Sequence, residues 1–504
     1  MSAVLEDAPA VCETGERGGT RAVLALARFE ARRLLTSIPV VLAFAVYVAW
    51  IVWHTQNSWD GYPALQDVDR ETQTMPTLVG LAVLLYANSA VLRSGRRGTE
   101  SHFATLVMPP WRRTVAHVLS LVPAALLTAV CVAGQFAREA FKPGAVGHGS
   151  PAELAVGPLS VLLFGAAGVL LGRLVRSALA APLLVVLLFT AAFSAAPGVP
   201  DATSWLAPFV VEQSSPTLPS DLLGRPAAWH ALYLAGVVLC VAFAAVLLAG
   251  GRAPTVRVGV VLGLALAVTG GVLQAGGVEA SPELTAARER ALVRPELTCV
   301  KRDGSTYCAF PEWEPRIDTW AGTVDEVRSL AGGSAHERPL VVRQRVDATF
   351  GLTGDAAVHP STEADRVTVG TVWGGNRVPE FSSAVAAVLV AGSEEAGGEL
   401  CDGRMVTLMW LSLSWQDDPM NALSRVRVDD SVEGSATVLS PTNPMTMTEG
   451  QTDVVRHLLE KPLPGTGDRV KAHWAELTEP GVTTARAAEL LGVAAPEKAD
   501  SCER

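Results

Sequence analysis

Seven stretches of this 504-residue chain carry no ionised side chain over close to the ~20 residues a helix needs to cross a hydrocarbon core. They cover 34–53, 76–92, 115–136, 154–171, 178–195, 231–248 and 258–275. A soluble core helix rarely stays apolar for so long, so a wholly soluble enzyme is excluded. A polar and charged stretch of more than thirty residues precedes the first apolar stretch, which therefore reads as a retained anchor and not as a cleavable signal peptide.

Basic residues assign an orientation, because Lys and Arg are retained on the cytoplasmic side. One set of alternate flanks holds fourteen: Arg17, Arg21, Arg28, Arg32, Arg33, Arg93, Arg96, Arg97, Arg112, Arg113, Arg173, Arg176, Arg252 and Arg257. The opposite set holds four, Arg70, Arg138, Lys142 and Arg225. The N-terminus is expected in the cytoplasm, and seven crossings deliver residue 277 onward to the outside. Residues 1–276 hold 18 Lys and Arg against 15 Asp and Glu, and the remainder holds 22 against 35. So acidic a tail repels the phosphates of a nucleic-acid partner. Its tryptophans and periodic apolar stretches argue against disorder. The expected fold class is an α-helical polytopic membrane protein of about seven transmembrane helices followed by a soluble, helix-rich α+β extracytoplasmic domain. Residues 1–35 form a cytoplasmic tail and interfacial helix, 36–276 the membrane domain and 277–504 the outer domain.

Cysteine usage agrees with that placement, since disulfides persist only in oxidising compartments. Cys12 lies in the cytoplasmic tail, and Cys131 and Cys240 lie in spans as small apolar groups. Cys299, Cys308, Cys401 and Cys502 all fall in the outer domain. Cys299 and Cys308 flank Asp303-Gly304, a pair that favours a tight turn and brings the sulfurs together. Four cysteines allow three pairings, so Cys401 with Cys502 follows only by elimination.

Several chemistries are missing from the sequence. The apolar stretches hold no Asp, Glu, Lys or Arg, whereas ion-driven transporters need a buried charge on their path. His117, read as an interfacial histidine, is the one titratable side chain expected in a span besides cysteine and tyrosine. No G-x-x-x-x-G-K-S/T loop occurs, so any ATP must be handled by another subunit. His336-Glu337 runs into Arg338-Pro339 without a second histidine at helical spacing, which removes a zinc peptidase; no metal ligands and no catalytic residues are assigned. His359, His457 and His473 are isolated, and no G-x-S-x-G appears. Gly168-x-x-x-Gly172 and Gly259-x-x-x-Gly263 are weak signals for close helix approach.

The loop between the second and third stretches, 93–114, reads RSGRRGTESHFATLVMPPWRRT. Residues 99–108 can form a short helix with Phe103, Leu106 and Val107 on one side; Pro109-Pro110 ends it, and Trp111-Arg112-Arg113 returns the chain to the membrane. A helix lying on lipid headgroups is the competing reading. Residues 20–35 place Val23, Leu24, Ala27 and Leu34 against Arg21, Arg28, Arg32 and Arg33 at helical spacing, an interfacial helix leading into the first span.

In this layout the chain resembles the membrane-spanning permease of an ABC transporter of the type 2 class. That family has a basic amphipathic helix before its first span and a short Arg-flanked helix with a Thr-Leu-x-x-Pro core between spans two and three, which docks into the ATPase. The core here is Thr105-Leu106-Val107-Met108-Pro109, with Gly98-Thr99-Glu100 before it and Arg112-Arg113 after it. The resemblance implies an ATPase-docking surface at Glu100, Thr105, Leu106, Pro109, Arg112 and Arg113. It also implies a separate ATPase subunit carrying ATP and magnesium, a second permease chain, and an outer re-entrant segment at 205–211. It covers about residues 20–250; such a permease ends in the cytoplasm after span six, so span seven and the outer domain are additions.

In the outer domain, helices are expected at 283–292, 381–390, 401–415, 454–461, 469–477 and 484–491, and strands at 340–346 and 366–373. Thr483 reads as an N-cap and Gly492 as a helix stop. Tyr307, Phe310, Trp313 and Trp320 read as core. The expected function is an exporter subunit in the cell membrane. The rival is a membrane-anchored receptor or immunity protein whose outer domain binds a ligand without transport; an outer hydrolase is a weaker third.

Overall fold

The computed structural model describes residues 15–57, 63–98, 108–194, 227–275, 297–345, 360–370, 377–442, 444–460 and 464–496. Helix α1, Gly15–Leu35, is amphipathic as expected, with Val23, Ala27 and Leu34 buried and Arg21, Arg28, Arg32 and Arg33 facing outward, except that Leu24, expected on the apolar face, is exposed. The Thr36 hydroxyl donates to the Arg32 carbonyl at 2.8 Å and the Ser37 hydroxyl to Leu34 at 2.7 Å. Those bonds satisfy carbonyls at the helix end, and α2, Ile38–Asn57, leaves at a bend of 59°.

Two long rods follow. Leu65–Glu71 (α3) and Thr74–Arg96 (α4) form one of 32 residues; Pro110–Leu119 (α5) and Val122–Ala140 (α6) form another of 31. Then come α7, Pro151–Leu174, α8, Ala180–Ser194, α9, Ala227–Leu248, and α10, Pro254–Ala275. Five of these helices are long and apolar enough to cross a membrane, or six if the bent α1–α2 pair is one span. The expected fifth stretch appears as α8, which at 15 described residues is short for a crossing, so seven crossings are not reached among the described residues. Both glycine motifs sit at close helix crossings: a Cβ on Gly168 would strike the Leu84 backbone, and one on Gly263 would lie 2.6 Å from the Cys240 nitrogen.

The helices run beyond the apolar stretches, and their ends correct the expectation of uncharged spans. Glu153 is buried in the first turn of α7, Glu139 in the last turn of α6, and Arg93 sits in the last turn of α4. His230 was missed because α9 begins at Ala227, four residues before the apolar run; it is fully buried, its Nδ1 3.0 Å from Gln274 Oε1.

The C-terminal region is a small sheet covered by helices. Strands β1, Thr298–Arg302, and β2, Ser305–Ala309, form an antiparallel hairpin whose turn residues Asp303 and Gly304 have φ of 43° and 82°. Cys299 and Cys308 are register partners and are bridged, as the turn implied. β3, Val341–Gln344, adds parallel to β2, and β4, Arg366–Val369, parallel to β3. Helices α11, Ile317–Leu330, and α12, Arg377–Ala391, bury one face of the sheet, with α13, Glu394–Gly398, and α14, Arg404–Leu413, behind. Next are α15, Pro419–Val426, a hairpin of β5, Ala436–Val438, and β6, Met445–Met447, and α16, Glu449–Glu460. The expected helix at 469–477 is broken at His473 into α17, Thr466–Ala472, and α18, Trp474–Leu477. The last helix, α19, is Thr484–Leu491, with the Thr483 hydroxyl accepting from Arg486 N and Gly492 at φ 78°. Tyr307, Trp313 and Trp320 are fully buried. Cys401 is disulfide-bonded; Cys12, Cys502, the 205–211 segment and the stretch 283–292 expected to be helical lie outside the described residues.

Candidate coupling site

At the basic end of the bundle α1 lies against α5. Val23 and Ala27 pack on Ala116, and Leu26 and Val115 close the patch. The small side chains are what let the helices approach. Gly19 sits under the Arg112 guanidinium, which also lies 5.2 Å from the Trp111 ring centroid, a cation–π arrangement. Trp111 in turn touches Gly251 in the connection between α9 and α10.

The carboxylate of Glu30 holds this platform to the first rod, through α4. Arg93 Nη1 donates to Glu30 Oε1 at 2.9 Å, the Tyr86 hydroxyl donates to Oε2 at 3.3 Å, and Arg93 Nη2 donates to the Tyr86 oxygen at 3.4 Å. Glu30 is 4% exposed and the Arg93 side chain a quarter exposed, so the pair is partly desolvated. Sequence reading missed it, although a signal existed: at the spacing 23, 27, 30, 34, Glu30 is an acid on the apolar stripe of a basic helix.

Among the expected docking residues, Pro109 is the N-cap of α5, extended at φ −67° and ψ 157°, with Pro110 opening the helix. Arg112 and Arg113 are half-buried in its first turn, and His117 is half-buried in its last. Glu100, Thr105 and Leu106 lie outside the described residues. The structure therefore assembles the two flanks of the expected loop and gives no geometry for its centre.

The opposite end is built differently. Ala64 and Val146 bridge the chain before α3 to the chain before α7, through Leu65 N to Val146 O at 2.9 Å and Val146 N to Pro63 O at 3.0 Å. Both residues belong to the same apolar cluster as Tyr307, Trp313 and Trp320. Arg316, fully buried, donates to the Gly144 carbonyl at 3.1 Å, and His148 Nδ1 is 3.3 Å from Glu312 Oε1. Beneath this contact lie buried Gln66, Asp69, Thr72, Gln73, Gln135, Glu139 and Glu153. Ser150 N donates to Asp69 Oδ2 at 2.8 Å, Gln73 Nε2 donates to Glu153, and Lys142 pairs with Glu139. Asp69, Gln73, Glu139 and Glu153 are thus buried with polar partners, the condition under which such groups are tolerated in a membrane protein.

Searches of protein-family models, of curated proteins and of solved structures return no match for this chain. No group of three or more His, Cys, Asp or Glu side chains with metal-holding geometry occurs among the described residues.

Proposed function

We propose that the chain is the membrane-spanning subunit of an ATP-driven exporter of the type 2 ABC class, paired with a second permease chain and with a separate ATPase that binds ATP and magnesium. The observation that carries this reading is the platform of α1 on α5, tied to α4 by Glu30 and Arg93. Residues 97–109 join the 32-residue and 31-residue rods, so a force on that loop acts on two spans as levers. The fourteen basic residues put this end in the cytoplasm, and the Cys299–Cys308 bridge suits an outer domain beyond the membrane. ATP-driven closure of the ATPases would then reach the spans through Glu100, Leu106 and Arg112.

Leu106→Asp tests it by placing a charge in the proposed protein contact. The ATPase should cease to co-purify while membrane insertion is unchanged; a variant that keeps both the complex and ATP-dependent transport removes the permease reading. One observation favours the rival receptor or immunity reading, the core shared by the outer domain and the outer helix ends. On that reading no ATPase co-purifies with the unaltered chain.

A further inference from the structure

Successive side chains on a strand face opposite ways, and the register sorts the outer sheet into two faces. Tyr307, Val342 and Val367 align on the face covered by helices. Thr306, Val341 and Arg366 align on the other, as do Cys308, Arg343 and Thr368, with Cys299 across from Cys308. A cavity of about 310 Å³ opens on this second face, lined by Leu297, Cys299, Cys308, Val341, Arg343 and Arg366. Every lining residue follows from the period-two register, so the cavity is a property of the strand pattern.

Its electrostatics oppose those of the domain. Residues 277–504 carry 35 acidic against 22 basic side chains, yet both charged residues lining the cavity are arginines. Arg345 continues the same alternation, and its Nη1 reaches Thr368 Oγ1 at 3.5 Å. Burial lowers the Arg345 guanidinium below its usual range; Glu394 opposes this, and Arg343 and Arg366 add to the lowering. Among the described residues, two carboxylates stand beside these cations. Glu363 pairs with Arg366 at 2.8 Å from the half-exposed edge, and Glu394 is occupied by Ser361 N, Thr368 N and the Thr368 hydroxyl.

We propose that this face binds a small anionic amphiphile, with a carboxylate or phosphate head between Arg343 and Arg366 and an apolar body on Leu297, Val341 and the Cys299–Cys308 bridge. Guanidinium forks match the paired oxygens of both anions. The volume lies at the lower end of small-molecule sites, roughly 300–1,000 Å³, and suits a single short chain rather than a two-chain lipid.

The test uses the full chain in nanodiscs of neutral phosphatidylcholine, titrated calorimetrically with octyl phosphate against empty discs. Saturable binding is expected, weakening with added salt. Replacing both arginines, Arg343→Gln with Arg366→Gln, should reduce affinity about tenfold or more, as loss of charge-assisted pairs does. Arg302→Gln, exposed at the hairpin end of the same sheet, should not. Octanol and inorganic phosphate should each bind at least about tenfold more weakly than octyl phosphate, because each supplies half of the recognition. Absence of saturable binding, insensitivity to salt, or octanol or phosphate binding as tightly as octyl phosphate overturns the proposal without relying on any variant. Because Leu106→Asp should leave this affinity unchanged, its failure and that of the transport reading are separable.

Discussion

At the basic end the bundle is closed by a small apolar contact, Val23 and Ala27 on Ala116, and by one buried ion pair, Glu30 with Arg93. At the other end Ala64 and Val146 enter a core that includes three fully buried aromatic side chains, and Arg316 is buried across the junction. The first arrangement orders few groups and is open to completion by a partner. The second resembles the inside of a domain, where separation exposes a large apolar area and an uncompensated guanidinium. Motion of α1 against the rods is therefore cheap compared with motion between the rods and the C-terminal domain.

The largest effect that can break this comparison is expected at Arg316. Arg316→Ala removes a fully buried side chain whose Nε donates to Gly144, and should weaken the junction by about 3 kcal/mol, a loss typical of broken buried charged contacts. Hydrogen exchange on the full chain is the measurement. Amides of 141–150 and 311–330 should exchange faster by roughly two powers of ten, and those of 15–35 should not change. Unaltered exchange at 311–330 would show that the C-terminal domain does not depend on the bundle.

Glu30→Gln probes the other end, with an expected cost of about 2 kcal/mol for hydrogen bonds between charged partners. Protection should fall in 15–35 and co-purification with an ATPase should weaken, while 141–150 stays protected. Pairing it with Arg93→Gln in a double-mutant cycle sharpens the result. If the two losses simply add, the ion pair does not couple α1 to the rod.

Legibility in the sequence followed the same division. Apolar length revealed the membrane helices, because hydrocarbon thickness acts on each segment alone. Caps revealed α19 to the residue, since Thr483 and Gly492 act within one turn. The β1–β2 bridge was legible from its Asp-Gly turn, again a local device. What escaped was non-local. Glu30 is informative only once Arg93 is beside it, 63 residues away, and Arg316 only once Gly144 is, 172 residues away. Glu153 and His230 were missed because helices continue past the point where hydropathy falls. Of the docking residues, Pro109, Arg112 and Arg113 cap and open α5, whereas the Pro-Pro pair signalled only the end of the helix before it.

A smaller effect separates the C-terminal domain's own periphery from its junction with the bundle. Thr483→Ala deletes the N-cap acceptor for Arg486 N and should cost about 1 kcal/mol. Proteolytic nicking within 478–492 should rise while exchange at 311–330 stays at its normal rate. Faster exchange at both places would mean that the domain opens as one unit.

The smallest effect, and the one that resolves the periphery further, is the pH response of Asp402. This carboxylate sits next to the disulfide-bonded Cys401 and holds the approach to α19, accepting from Gly481 N at 2.9 Å and from Arg404 N at 3.1 Å, and through both oxygens from the Arg404 side chain. Burial alone would raise its pKa, but the bonds from Arg404 and Gly481 outweigh burial and hold it below the ordinary 3.8. A carboxylate lowered in the folded state binds its proton more readily when unfolded. Its contribution is therefore fully present above the unfolded value of about 3.9 and is lost as pH falls through the lower, folded value. Because the group is partly exposed and solvent screens it, the expected contribution is below about 1 kcal/mol. Acidifying the full chain below about pH 4 should increase acid-protease cutting within 478–492. Asp402→Asn should raise that cutting at neutral pH and flatten its rise in acid. An acid-induced rise that is equally steep in Asp402→Asn would assign the acid response to other carboxylates and leave Asp402 as a neutral hydrogen-bond acceptor.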